Sequence, residues 1–166
     1  MYIHVILKAG IILFSFLITL TLVSCSNESS LFFEYESEKT LKEAIEDAEF
    51  AITEENFRIT GNLHIGQGIQ KRGNTDFPQY EMILFCNLSY AQEMLTIDPS
   101  SVNYCPHRIS IREHKQKIII GTILLPEKTA NRKMNDFAVK LNSLLRDIVK
   151  YAAEEDPFLL YEDDDV

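Results

Sequence analysis

The chain has 166 residues, 25 of them acidic against 16 Lys and Arg, and a formal net charge of −9. That balance argues against nucleic acid as a partner and against adsorption to anionic lipid. Gly-x-Gly-x-x-Gly, Walker, His-Glu-x-x-His and Gly-x-Ser-x-Gly spacings are missing, so nucleotide binding and the common hydrolase chemistries have no motif to rest on.

Residues 9–24 (AGIILFSFLITLTLVS) carry no charge, Lys8 stands just before them, and the polar run Ser26-Asn27-Glu28-Ser29-Ser30 follows at once. This is the layout of a secretory signal. The step Leu22-Val23-Ser24-Cys25 resembles the lipobox of bacterial lipoprotein precursors. The resemblance implies diacylglyceryl attachment to Cys25, cleavage before it, and anchoring of the mature protein in a lipid bilayer through that residue. A plain signal anchor and an ordinary secretory signal are the competing readings. Ser26, where Asp would retain the protein at the inner membrane, implies an outer-membrane anchor facing the periplasm. Loss of residues 1–24 removes Lys8 alone among charged side chains, leaving the mature chain one charge more acidic. Residues 25–30 are a tether of roughly 20 Å at most, at about 3.5 Å per extended residue, so the domain works close to its membrane.

Leu31 to Glu36 opens with aromatics and then alternates, which predicts the first strand. Thr40-Leu41-Lys42-Glu43 has capping-box spacing. Leu41, Ala44, Ile45, Ala48, Ala51 and Ile52 then recur at three and four, predicting a helix over 40–55 with one apolar stripe. Phe57, Ile59, Gly61, Leu63 and Ile65 alternate with Arg58, Thr60, Asn62 and His64, a half-buried strand in which the glycine marks a candidate bulge. This second strand is expected to pair with the first. Residues 66–78 read as a variable loop with at most one helical turn at Gln67 to Lys71.

Tyr80 to Cys86 is a continuous apolar run, a third strand, and Ser89-x-x-Gln92 offers a capping box for a short helix ending near Asp98-Pro99. Residues 108–112 and 117–123 flank Glu113 to Gln116 and predict a hairpin. Met134, Phe137, Ala138, Leu141, Leu144, Leu145, Ile148 and Ala152 mark the strongest helix, from about 130 to 154. Short connections in this order require antiparallel neighbours. The fold expected is α+β, a two-layer sandwich of a mainly antiparallel sheet with helices packed on one face. The domain plan is a signal over 1–24, lipidated Cys and tether over 25–30, one α+β domain over 31–153, and a solvated acidic tail over 154–166. Phe158, Leu159, Leu160 and Tyr161 in that tail are the residues through which it would dock on the domain, or on a second copy in a homodimer.

Cys86-Asn87-Leu88-Ser89-Tyr90-Ala91 and Tyr104-Cys105-Pro106, with Asn56-Phe57 and Tyr80 to Cys86, resemble the bacterial domain of unknown function number 302 over roughly 31–153. In that family a strand ends in Cys-Asn-Pro before an Ala-bearing helix, and a Leu-Pro-Cys step enters the next strand. Here Leu88 stands where the family tends to have proline, and Pro106 follows the second cysteine rather than preceding it. The resemblance implies a two-layer α+β domain and supplies no activity.

Once Cys25 is acylated, Cys86 and Cys105 are the remaining thiols, in an oxidising compartment where a bond between them is expected. With eighteen residues between them, closure stabilises the fold by about 3 kcal/mol on the chain-entropy model. Alternatively, Cys86 at a strand end before a helix start is placed for a lowered pKa and redox or sulfur-handling chemistry. Cys105-x-His107 with Cys86 also forms a soft donor set for a metal or haem, though without paired Cys-x-x-Cys spacing; no cofactor is the favoured reading. Asn87 and His107 are the neighbours expected around a ligand site, whereas His64 and His114 read as solvated. The leading expectation is an envelope lipoprotein that binds a small ligand or an envelope protein without turnover. A periplasmic thiol protein using Cys86 and Cys105 is the alternative.

Overall fold

A computed structural model describes residues 31–154. The signal, Cys25 with its tether, and the tail beyond Glu154 lie outside the described residues. The elements are β1 (Phe32–Ser37), α1 (Leu41–Glu54), β2 (Arg58–His64), α2 (Ile65–Gln70), β3 (Tyr80–Cys86) and α3 (Leu88–Ile97). They continue with a 3-10 helix (Pro99–Tyr104), β4 (His107–His114), β5 (Lys117–Ile123) and α4 (Arg132–Ala153). The five strands form one antiparallel sheet in the order β1-β5-β4-β3-β2. The architecture is α+β with helices packed against the sheet. Among the described residues no helix is long and apolar enough to cross a membrane.

Alternation sorts the two faces of the sheet. Ile83 and Phe85 of β3, Ile109 and Ile111 of β4, and Ile118 and Ile120 of β5 are buried with Ala44, Ala48 and Ile52 of α1 and Phe137, Leu141, Leu145 and Ile148 of α4. The alanines of α1 present no bulk, which lets that helix lie close to α4, its main helical neighbour. Thr40 caps α1 with the full reciprocal box, its hydroxyl accepting from the Glu43 N–H while Glu43 accepts from the Thr40 N–H.

Strand pairing departs from expectation: β2 does not pair with β1. It pairs with β3, and β1 with β5, at opposite edges. In an all-antiparallel order of five, β1 and β2 run the same way, so α1 carries the chain past three strands rather than turning it back on its neighbour. The alternation of β2 is also broken, by a register shift between Ile59 and Gly61. The extra residue moves Gly61 and Leu63 to the face shared with Arg58, leaving Leu63 46% exposed.

Three local boundaries differ as well. The segment after β2 holds α2, which starts at Ile65 rather than Gln67; a Cβ on Gly66 would lie 2.6 Å from the Pro78 carbonyl and the Tyr80 nitrogen, so only glycine lets this helix press against the start of β3. The hairpin turn shrinks to Lys115 and Gln116, both at positive φ (49° and 65°), because His114 and Lys117 still pair. The chain beyond Asp98, unassigned in the sequence, forms the 3-10 helix over Pro99–Tyr104, with Asp98 accepting from the Ser100 N–H.

Candidate functional site at the end of strand β3

The apolar run of β3 stops at Cys86, and the next residue decides how the chain leaves the sheet. Asn87, not Ser89, caps α3: its side-chain oxygen accepts from the Ser89 N–H at 2.9 Å and the Tyr90 N–H at 3.2 Å. Its amide donates in turn to the Asn56 carbonyl at 2.8 Å. Asn56 offers that carbonyl because it closes α1 in the left-handed conformation, φ 58°, where the Phe57 N–H reaches the Ile52 carbonyl. One side chain thus ties the end of α1, the end of β3 and the start of α3 together.

Cys105 arrives from the other direction, at the end of the 3-10 helix, with its N–H donating to the Val102 carbonyl and a cis peptide to Pro106. The two Sγ atoms lie 3.0 Å apart as free thiols. The bond expected from compartment and cysteine count is therefore not formed; the sulfurs sit in contact one bond-forming step away. Both residues are partly buried, and Cys105 packs against the core.

The expectation of a lowered Cys86 pKa is overturned. Burial, followed by the hydrogen bond with Cys105, pushes the Cys86 thiol up to about 11. The helix start gives little help, because Asn87 already occupies the N–H groups that would have faced a thiolate.

His107 does not join the cysteines. It lies across the β3–β4 ladder from Phe85 on the core side, 6% exposed, with its ring 5.8 Å from Phe85 and edge-on to Phe57 at 6.0 Å. Burial, with a smaller contribution from Arg108, lowers its pKa to about 4, so it is a neutral member of an aromatic cluster. Among the described residues no three His, Cys, Asp or Glu side chains are grouped to hold a metal ion. His64 donates through Nδ1 to the Glu81 carboxylate at 2.6 Å on the exposed surface, and His114 is exposed.

Outside the sulfurs opens a groove of about 660 Å³ lined by Asn56, Arg58, Ile59, Thr60, Cys86, Asn87, Leu88 and Ser89. Cys86 is the sulfur on its wall. Arg58, which alternation assigned merely to a polar face, is the residue the sequence reading missed. Its pairing with Cys86 across the ladder could be read only once β2 was known to neighbour β3.

A family model described as Domain of unknown function DUF302 matches residues 33–151. The chain belongs to the DUF302 family. No curated protein matches it in sequence. Among solved structures it is similar to the crystal structure of an uncharacterized conserved DUF302 protein from Bacillus stearothermophilus, with a TM-score of 0.67 at 14% identity. That match covers 75% of this chain and 98% of the other, and at such identity it speaks for the fold alone. The DUF302 fold implied by the sequence resemblance is thus the fold observed.

Proposed function

We propose that this protein is a membrane-anchored envelope lipoprotein whose DUF302 domain acts as a dithiol electron donor to disulfides through Cys86 and Cys105. The observation that carries the reading is the 3.0 Å contact of two free sulfurs, one of which, that of Cys86, lies on the wall of an open groove. Cys86 attacks one sulfur of a disulfide R–S–S–R as a thiolate, forming a mixed disulfide and releasing one thiol. The Cys105 thiolate then attacks the Cys86 sulfur and releases the second. Two cysteine thiols are oxidised to one disulfide, the substrate takes both electrons, and the two protons end on the two RSH products.

The raised pKa sets the direction and the pace. A strongly oxidising pair needs a stabilised thiolate, and here burial opposes that charge. The pair therefore favours its disulfide form and reduces others, at a rate that climbs as pH rises from 7 toward 11. The anchor rests on Leu22-Val23-Ser24-Cys25 and on the cleavage that sequence implies.

Mass measurement before and after alkylation tests the reading, on protein equilibrated across a series of thiol and disulfide buffers. The expected result is a two-electron transition that loses both alkylatable thiols together and is abolished in Cys105→Ser, which should instead trap the mixed disulfide. Two thiols that stay reduced under every buffer would sink the electron-donor reading and leave a binding domain without turnover, acting through the same groove. For the anchor, Cys25→Ala should abolish incorporation of labelled fatty acid; unlipidated mature wild-type protein in cells would defeat it.

A further inference from the structure

Arg58 lies directly across the β2–β3 ladder from Cys86, so both side chains leave the sheet on the same face. Such cross-strand partners have Cβ atoms about 4.5–5.5 Å apart. Arg58 is exposed, and among the described residues it forms no ion pair. Arg112 and Arg146, by contrast, are committed to Glu34 and Glu127. In a chain with 25 acidic residues, the groove beside the thiol is lined, among the described residues, by one cation and no carboxylate. Leu88 adds an exposed apolar side chain, 83% accessible, on the same rim.

We propose that Arg58 makes this groove selective for a small disulfide that carries carboxylates. The guanidinium pairs with a carboxylate, the methylene stem of the disulfide lies along Leu88, and the disulfide sulfur is presented to Cys86. The inference rests on the electron-donor reading and adds the substrate class to it; the exchange is the one balanced above, with R bearing the carboxylate. Selectivity for an anion would run against the field of the whole chain, whose charge of −9 favours cations near its surface. It must therefore be local.

The test compares three small disulfides: oxidised 3-mercaptopropionate (anionic), bis(2-hydroxyethyl) disulfide (neutral) and cystamine (cationic). Each rate of dithiol oxidation is divided by that of dithiothreitol with the same disulfide, which removes differences in intrinsic reactivity. The wild type should prefer the anionic over the neutral compound by about fivefold, the upper range for an exposed ion pair. The preference should fade with added salt, vanish in Arg58→Gln and largely survive in Arg58→Lys. A ratio unchanged in Arg58→Gln, or equal oxidation by the anionic and neutral compounds in the wild type, would overturn the role of Arg58 while leaving the dithiol reading intact. If none of the three oxidises the pair, the dithiol reading itself fails and the selectivity falls with it.

Discussion

Asn142 on the buried face of α4 and the thiol pair at the end of β3 are both polar groups set against apolar surroundings, and they are satisfied in opposite ways. Asn142 is fully buried; it accepts from the Leu125 N–H at 2.8 Å and donates to the Leu125 carbonyl at 2.9 Å and to Glu127 at 2.8 Å. Every bond it makes fixes the path of the chain between β5 and α4. Among the described residues the Cys86 and Cys105 thiols have only each other as polar partners, through a weak sulfur contact. Strong directional partners turn a polar group into architecture, whereas weak ones leave it free to change its bonding.

The comparison breaks first if the helix side of the molecule proves unimportant to stability. Leu145 is fully buried on α4, and Leu145→Ala should cost about 2–5 kcal/mol through lost contacts and a cavity. Urea unfolding measures it. Arg58→Gln, on the exposed wall of the groove, should change stability by under about 0.5 kcal/mol. A similar loss from both would mean that the groove is as much a part of the core as α4.

His107 gives a pH-dependent version of the same contrast, because it belongs to the architecture although it lies near the thiols in sequence. Its pKa falls from 6.5 to about 4 on folding, so the folded state resists protonation that the unfolded chain accepts. The stability this contributes is fully present above pH 6.5 and is lost as pH falls toward 4, by about 3 kcal/mol in all. Unfolding measured at pH 7.5, 6 and 5 should show this slope in the wild type and not in His107→Leu. Equal slopes in the two proteins would show that His107 is protonated as readily in the folded chain as in the unfolded one, and so is no closed part of the architecture.

Asn142→Ala should cost about 1–3 kcal/mol, since it strands the Leu125 N–H and carbonyl in the interior. It should also raise the pKa of Glu127, which the Asn142 hydrogen bond holds below the ordinary carboxylate value. Proton titration followed by NMR reads that shift, and an unmoved Glu127 would mean that its pairing with Arg146 suffices.

Legibility in the sequence divides along the same line. The helices over 40–55 and 130–154 were visible because burial on one face imposes a period on the residues that supply it, and the strands around 83 and 119 because their apolar runs are short and bounded by turn residues. Asn142 was invisible: a polar residue on an apolar stripe carries no signal of its partners, which lie at Leu125 and Glu127. At the site, the cysteines and Asn87 could be named from type and context. The Arg58 pairing could not, because it depends on strand order, and the bulge at Thr60 reversed the face that simple alternation assigned to Leu63. The thiol pKa failed for a similar reason, since a nearby helix start lowers a pKa only where its N–H groups are free.

Asn87 belongs to both regions, and its substitution tests whether they can be separated. Asn87→Ala removes the cap of α3 and the tie to the Asn56 carbonyl, which should cost about 1 kcal/mol in stability. The more telling readout is chemical. With Asn87 gone, the Ser89 and Tyr90 N–H groups are released to face the end of β3, which stabilises negative charge there. Cys86 alkylation should then reach its half-maximal rate at a lower pH than in the wild type, while Asn87→Asp, which keeps the capping oxygen but loses the donor to the Asn56 carbonyl, should recover part of the stability without that shift. An unchanged alkylation profile in Asn87→Ala would show that burial and Cys105 alone govern the thiol, and that the cap serves the fold without touching the chemistry beside it.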